Sequence, residues 1–161
     1  MLVNEPVFLL AQIAELGQSD RPAEESADIA LALLLDKLNA DFAALYLTWR
    51  PPDGPIHLHS ARNRSGKVDK PASSIVSLHA EMCRASKKLS ISRSRGSIIA
   101  AIPLFRSQNA IMGVFALVWE NESLETIEMH RQLFIAAVGL LSRIIIRLDD
   151  MRFWRHGKLN I

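Results

Sequence analysis

Four residues are the first candidates for chemistry. His57 and His59 are two apart, so on an extended strand both imidazoles project from one face. His79 and Cys83 are four apart, so on a helix they share one side. If those two faces met, three nitrogens and a thiolate would make a tetrahedral metal site. The spacing does not bring them together, and such residues more often serve as partly buried histidines and an inert thiol, so no metal is assigned. Cys83 stands alone among 161 residues, which excludes an intrachain disulfide, a four-cysteine zinc site and a two-thiol redox cycle. No Ser/His/Asp order, glycine-rich phosphate loop or kinase signature is present. Glu120, Glu122, Glu125 and Glu128 fit the cap and solvated first turn of a helix. The chain is therefore expected to be non-catalytic, with its cofactor, if any, unknown.

Charge is the second signal. Residues 1–61 carry nine acids and three bases, residues 62–109 carry ten bases and two acids, and the rest carries six of each. The central basic set is Arg62, Arg64, Lys67, Lys70, Arg84, Lys87, Lys88, Arg93, Arg95 and Arg106. It reads either as an electropositive rim that selects a small anion or as a solvated surface. With a net charge of +2 and 6% aromatic residues, nucleic acid is not an expected partner. The first 20 residues lack Lys and Arg, and the most apolar run, 133–148, is interrupted by Arg143. Neither a secretory signal nor a membrane span is expected, and the expected location is the cytoplasm.

The elements that must position these groups follow from periodicity. Val7–Leu16 reads as a helix stopped by Gly17; a second helix, capped by Asp20 with Pro22 in its first turn, carries Ile29, Leu33, Leu34 and Leu38 to a stop at Asn39. Phe42–Trp49 and Ile56–Ala61 read as strands around a Pro-Pro-Asp-Gly-Pro turn, and residues 62–71 as a polar basic loop. A helix capped by Ser73 or Ser74 runs to about Ala85, a short strand covers Leu89–Ser92, and Ile98–Phe105 and Ile111–Trp119 form a hairpin. One last helix is predicted from Leu124 to about Phe153. Its apolar positions Ile127, Phe134, Leu141 and Leu148 fall seven apart, with Ala137, Ile144 and Met151 between them. That heptad seam predicts a homodimer interface at Phe134, Leu141, Ile144 and Leu148. Helices at both ends of hairpin-linked strands indicate an α+β fold with an antiparallel sheet.

The segments SIIAAIPLF (97–105), AIMGVFALVWE (110–120) and the helix that follows, together with Asp41–Leu47 after a helix, resemble a GAF domain of the bacterial sensory or regulatory type. Pro103-Leu104 and Gly113-Val114 stand at the family's matching places. The resemblance implies a GAF-like, PAS-related sheet of five to six antiparallel strands. The N- and C-terminal helices would pack on one face, and residues 62–97 would cover a small-molecule pocket on the other. It places the N-terminal helix at 1–18, the sensory domain at 19–150 and a linker toward an effector domain at 151–161. It implies membership of a signal-transduction protein such as a sensor histidine kinase of a two-component system or a cyclic-dinucleotide enzyme. Its ligand, of unknown identity, would meet Tyr46, His57, His59, His79 and Arg93. A ligand-free dimerisation module is the alternative. The chain departs from the chromophore-binding pattern, because Arg84 rather than His follows Cys83. It also departs from the several-cysteine pattern of the members that reduce free methionine sulfoxide.

Overall fold

A computed structural model describes residues 6–48, 52–70 and 73–159, with side chains as far as residue 152. In chain order the elements are α1 (Pro6–Gln18), α2 (Ala23–Lys37), β1 (Phe42–Leu47), β2 (His57–Asn63), β3 (Gly66–Val68), α3 (Ser74–Ser86), β4 (Ser90–Ser94), β5 (Ser97–Phe105), β6 (Ile111–Trp119), α4 (Leu124–Glu128) and α5 (Arg131–Leu159). The six strands form one antiparallel sheet in the order β3-β2-β1-β6-β5-β4. The α+β architecture with an antiparallel sheet is as the sequence predicts.

β6 sits at the centre and is buried along its whole length, so both faces of the sheet must be covered. Alternation sorts its side chains. Phe115, Leu117 and Trp119 join Ala43, Leu45, Leu47, Ile98, Ile102 and Leu104 in a core beneath α1, α2 and α5, and Met112 joins them out of alternation, at the register shift opposite Leu104 and Phe105. Val114, Ala116 and Val118 join Phe42, Ala44, Tyr46, Ile99 and Ala101 beneath α3. Trp119 anchors the larger layer: its indole N–H donates to the Leu38 carbonyl at 3.0 Å, and its ring stacks on Phe134 with centroids 5.5 Å apart. The Arg147 guanidinium donates to the carbonyls of Gly17 at 3.1 Å and Arg21 at 2.9 Å, tying the end of α1 to α5.

Four local expectations are corrected. α2 begins after Pro22 with no side-chain cap, so Asp20 is not its cap. The basic loop 62–71 contains an edge strand, β3, paired as Arg62 with Lys67 and Asn63 with Gly66. The last helix is two, broken at Met129-His130, where His130 Nδ1 lies 2.9 Å from the Thr126 carbonyl. The fourth concerns the heptad seam. Phe134, Leu141, Ile144 and Leu148 are all buried within the chain's own core, because α5 lays that stripe on α1, α2 and β5. The residues expected at a dimer interface are already covered.

Leu141→Glu therefore places a carboxylate in that core, and should cost at least about 4 kcal/mol. Circular dichroism should show an unfolded or melted chain. A folded protein of reduced mass in solution would instead return the residue to an intermolecular seam.

Candidate functional site

α3 lies over β5 and β6 and presses Val76, Ala80 and Cys83 onto the sheet. The floor beneath it is built from small residues, Ala44, Ala61, Ala101 and Ala116, which let a helix approach closely. Two hydroxyl contacts cross the seam between helix and sheet. The Tyr46 hydroxyl on β1 lies 3.1 Å from Ser77 Oγ, and His79 Nδ1 lies 3.3 Å from Ser92 Oγ on β4. Burial raises the Tyr46 phenol above its ordinary value, and the Ser77 hydrogen bond pulls the other way.

Of the five residues expected at the ligand, these two, Tyr46 and His79, share the α3 face. The other three do not. β1 and β2 slip register between Leu45 and Tyr46: Leu45 opposes Ser60 and Tyr46 opposes Leu58, leaving His59 as an extra residue. Such a bulge redirects side chains. His59 Nε2 meets Glu24 Oε1 of α2 at 2.8 Å, which places it on the helix-layer side. His57 opposes Leu47, a residue of the helix-layer core, and is exposed. Arg93 opposes Ile98, likewise a residue of that core, and is exposed. His57 and His59 thus stand across the sheet from His79 and Cys83, and the four do not converge. Among the described residues no group of three or more His, Cys, Asp or Glu is placed to hold a metal ion. Ser77 and Ser92 are the site members that sequence reasoning passes over; serine in a helix and on a short strand carries no signal until the two elements are packed.

The charge asymmetry is resolved in part inside the chain. Lys67 pairs with Asp28 at 2.9 Å, Arg64 with Asp41 at 3.0 Å, and Arg106 with both Asp149 at 2.5 Å and Asp150 at 2.6 Å. Arg84 pairs with Glu81 and also donates to the Asp53 carbonyl at 3.1 Å. Asp53, at φ 63°, accepts the Ile111 N–H at 2.9 Å. That bond, before the nearby Lys87 and Arg84, holds its carboxyl below the usual value. Arg64, Lys67 and Lys87 of the basic middle meet acids of the front segment, and with Arg84 and Arg106 half of the ten residues of the expected electropositive rim are paired.

Cys83 is buried, and desolvation pushes its thiol up to about 12. The thiolate, not the thiol, is the nucleophile, so the side chain as packed is an apolar filler between helix and sheet. No described helix is long and apolar enough to cross a membrane.

No family model and no curated protein matches the chain. Solved structures do. The GAF domain of a protein described as a sensor histidine kinase from Pseudomonas syringae pv. tomato superposes with a TM-score of 0.65 at 11% identity, covering 97% of this chain and 93% of that one. The GAF domain of an Acinetobacter phosphoenolpyruvate-protein phosphotransferase gives 0.61 at 14% identity over 89% and 93%. The free methionine-R-sulfoxide reductase of Neisseria meningitidis gives 0.63 at 13% identity over 88% and 89%. The GAF-like fold read from residues 97–144 is present. The reductase corrects the expectation of a non-catalytic chain: the same fold carries an enzyme, so catalytic activity is compatible with it.

The Cys83 environment has a consequence for alkaline stability. A thiol held neutral in the fold contributes stability that is whole below pH 9, its unfolded value, and is lost as pH rises toward 12. The loss is up to about 4 kcal/mol. In urea titrations across that range, Cys83→Ser should show a shallower fall in stability than the parent chain. A residual slope from Tyr46, whose shift has the same sign, should remain. Equal slopes would place Cys83 in contact with water.

Proposed function

We propose that this chain, which has the GAF fold, works as a sensory module: a small hydrogen-bonding ligand enters between α3 and the sheet, and the change is passed to α5. One observation carries the reading. The β5–β6 hairpin lies beneath α3, and Arg106 at its turn is paired with Asp149 and Asp150 of α5 at 2.5 and 2.6 Å. The strands beneath α3 are thus clasped to α5, the longest helix of the described residues. Asp149 is 5% exposed, and a charge pair with a buried member is one that loses much when broken.

The ligand would take over the bonds that Tyr46 makes with Ser77 and His79 makes with Ser92. Each donor or acceptor it displaced would have to be satisfied by the ligand itself. A ligand shifts α5 only if it binds one arrangement of the clasp better than the other. The sensor-kinase neighbour supports this reading by fold alone.

The test is native mass spectrometry of the purified protein before and after denaturation, with amide exchange of α5 read on the loaded and stripped forms. The expected result is a small releasable mass that slows exchange around Asp149, and whose occupancy falls at least tenfold in a Tyr46→Phe, His79→Ala double variant. With Arg106→Gln the ligand should still bind, but the change in α5 should vanish. Full occupancy in the double variant would refute the placement, and an α5 response that survives Arg106→Gln would refute the route.

A further inference from the structure

On the opposite side of the sheet, between the middle of α5 and the β4–β5 edge, is a cavity of about 310 Å³. Its walls are Leu89, Ile102, Pro103, Phe105, Ile135 and Val138. The space exists because of what α5 lacks there. A Cβ on Gly139 would meet nothing within 4 Å, although glycine weakens a helix interior relative to alanine. Ser142, which also lines the cavity, turns its hydroxyl back to the Gly139 carbonyl at 2.6 Å, so it asks no partner of an occupant. Ile135 is left 46% exposed at the rim.

Volume and lining set the occupant. An engineered cavity of about 150 Å³ takes up benzene; twice that volume holds a chain or ring of on the order of ten heavy atoms. Concave, mostly apolar sites with a few polar groups at one end are the usual form of a small-molecule site. Here the polar end is Lys87. It closes α3 in the left-handed conformation at φ 59°, and its ammonium donates to the Asn109 carbonyl at 2.6 Å. Asp53 Oδ1 lies 3.3 Å from it and is itself held by the Ile111 N–H. An ammonium has three N–H groups; these two partners, among the described residues, engage two of them, and the third can turn to an incoming anion.

We infer that this cavity is a binding site for a small amphipathic carboxylate, its apolar tail between α5 and β5 and its carboxylate on Lys87. The site is on the other face from Tyr46 and His79 and does not depend on the reading given for them.

Sodium octanoate serves as the probe, followed by calorimetric titration, with 1-octanol and octylammonium as its neutral and cationic counterparts. The inference expects saturable one-to-one binding of octanoate and much weaker binding of octylammonium. Gly139→Leu should fold, since its side chain grows into open space, and should weaken octanoate at least tenfold; Gly139→Ala should change it less than about threefold. Lys87→Gln should weaken octanoate about fivefold or more and leave 1-octanol unchanged. Ser142→Leu fills the same space from the next turn and gives the same reading should Gly139→Leu not fold. The inference is overturned by octanoate that does not saturate, by undiminished binding in a folded filling variant, or by octylammonium that binds as tightly as octanoate.

Discussion

Everything in this molecule follows from a central strand with no face in water. β6 pairs with β1 on one side and β5 on the other, and each of its nine residues is buried. The pairing with β1 closes only because residue 113 is glycine: a Cβ there would collide with the Tyr46 carbonyl oxygen and lie 2.9 Å from Leu47 Cδ2. Backbone atoms in a paired strand cannot step aside, so the contact is not one that a side-chain rotation relieves. A strand buried on both faces needs two coverings, and the chain provides them unequally.

The larger covering is locked from several directions. Trp119 joins β6 to the end of α2 and to Phe134, Arg147 closes α1 onto α5, and Arg106 ties the β5–β6 turn to Asp149 and Asp150. The smaller covering is one helix of 13 residues, seated on alanines and steadied by two hydroxyl contacts, Tyr46 with Ser77 and His79 with Ser92. Local stability follows buried apolar contact. The α3 side is therefore the less firmly held of the two coverings, as the proposed sensory reading requires.

The strongest periodic segments were legible in the sequence. Ile111–Trp119 is a strand with the expected bounds, Ser97–Phe105 adds one residue to the expected strand, and α3 ends one residue past the expected Ala85. Positions governed by pairing were not. The alternation of His57, Leu58 and His59 says correctly that the two histidines share a face, but the face is decided by a register slip opposite Leu45 and Tyr46 that no local pattern reveals. β3 is three polar-flanked residues at the sheet edge and has no hydrophobic signal. The heptad of α5 reads alike whether the stripe meets a second chain or the same one; α1 and α2 settle it by occupying that stripe first. The charge blocks likewise read as a ligand rim until Lys67 meets Asp28 and Arg64 meets Asp41 across the fold.

The unequal layering is the claim on which the sensory reading stands, and native-state amide hydrogen exchange at low denaturant tests it most directly. The amides of α3 should exchange through a local opening several kcal/mol below the global unfolding free energy, while those of β6 and the Phe134–Leu148 stretch of α5 exchange only with global unfolding. If α3 is protected to the same free energy as β6, the helix is part of the rigid core and no ligand enters beneath it.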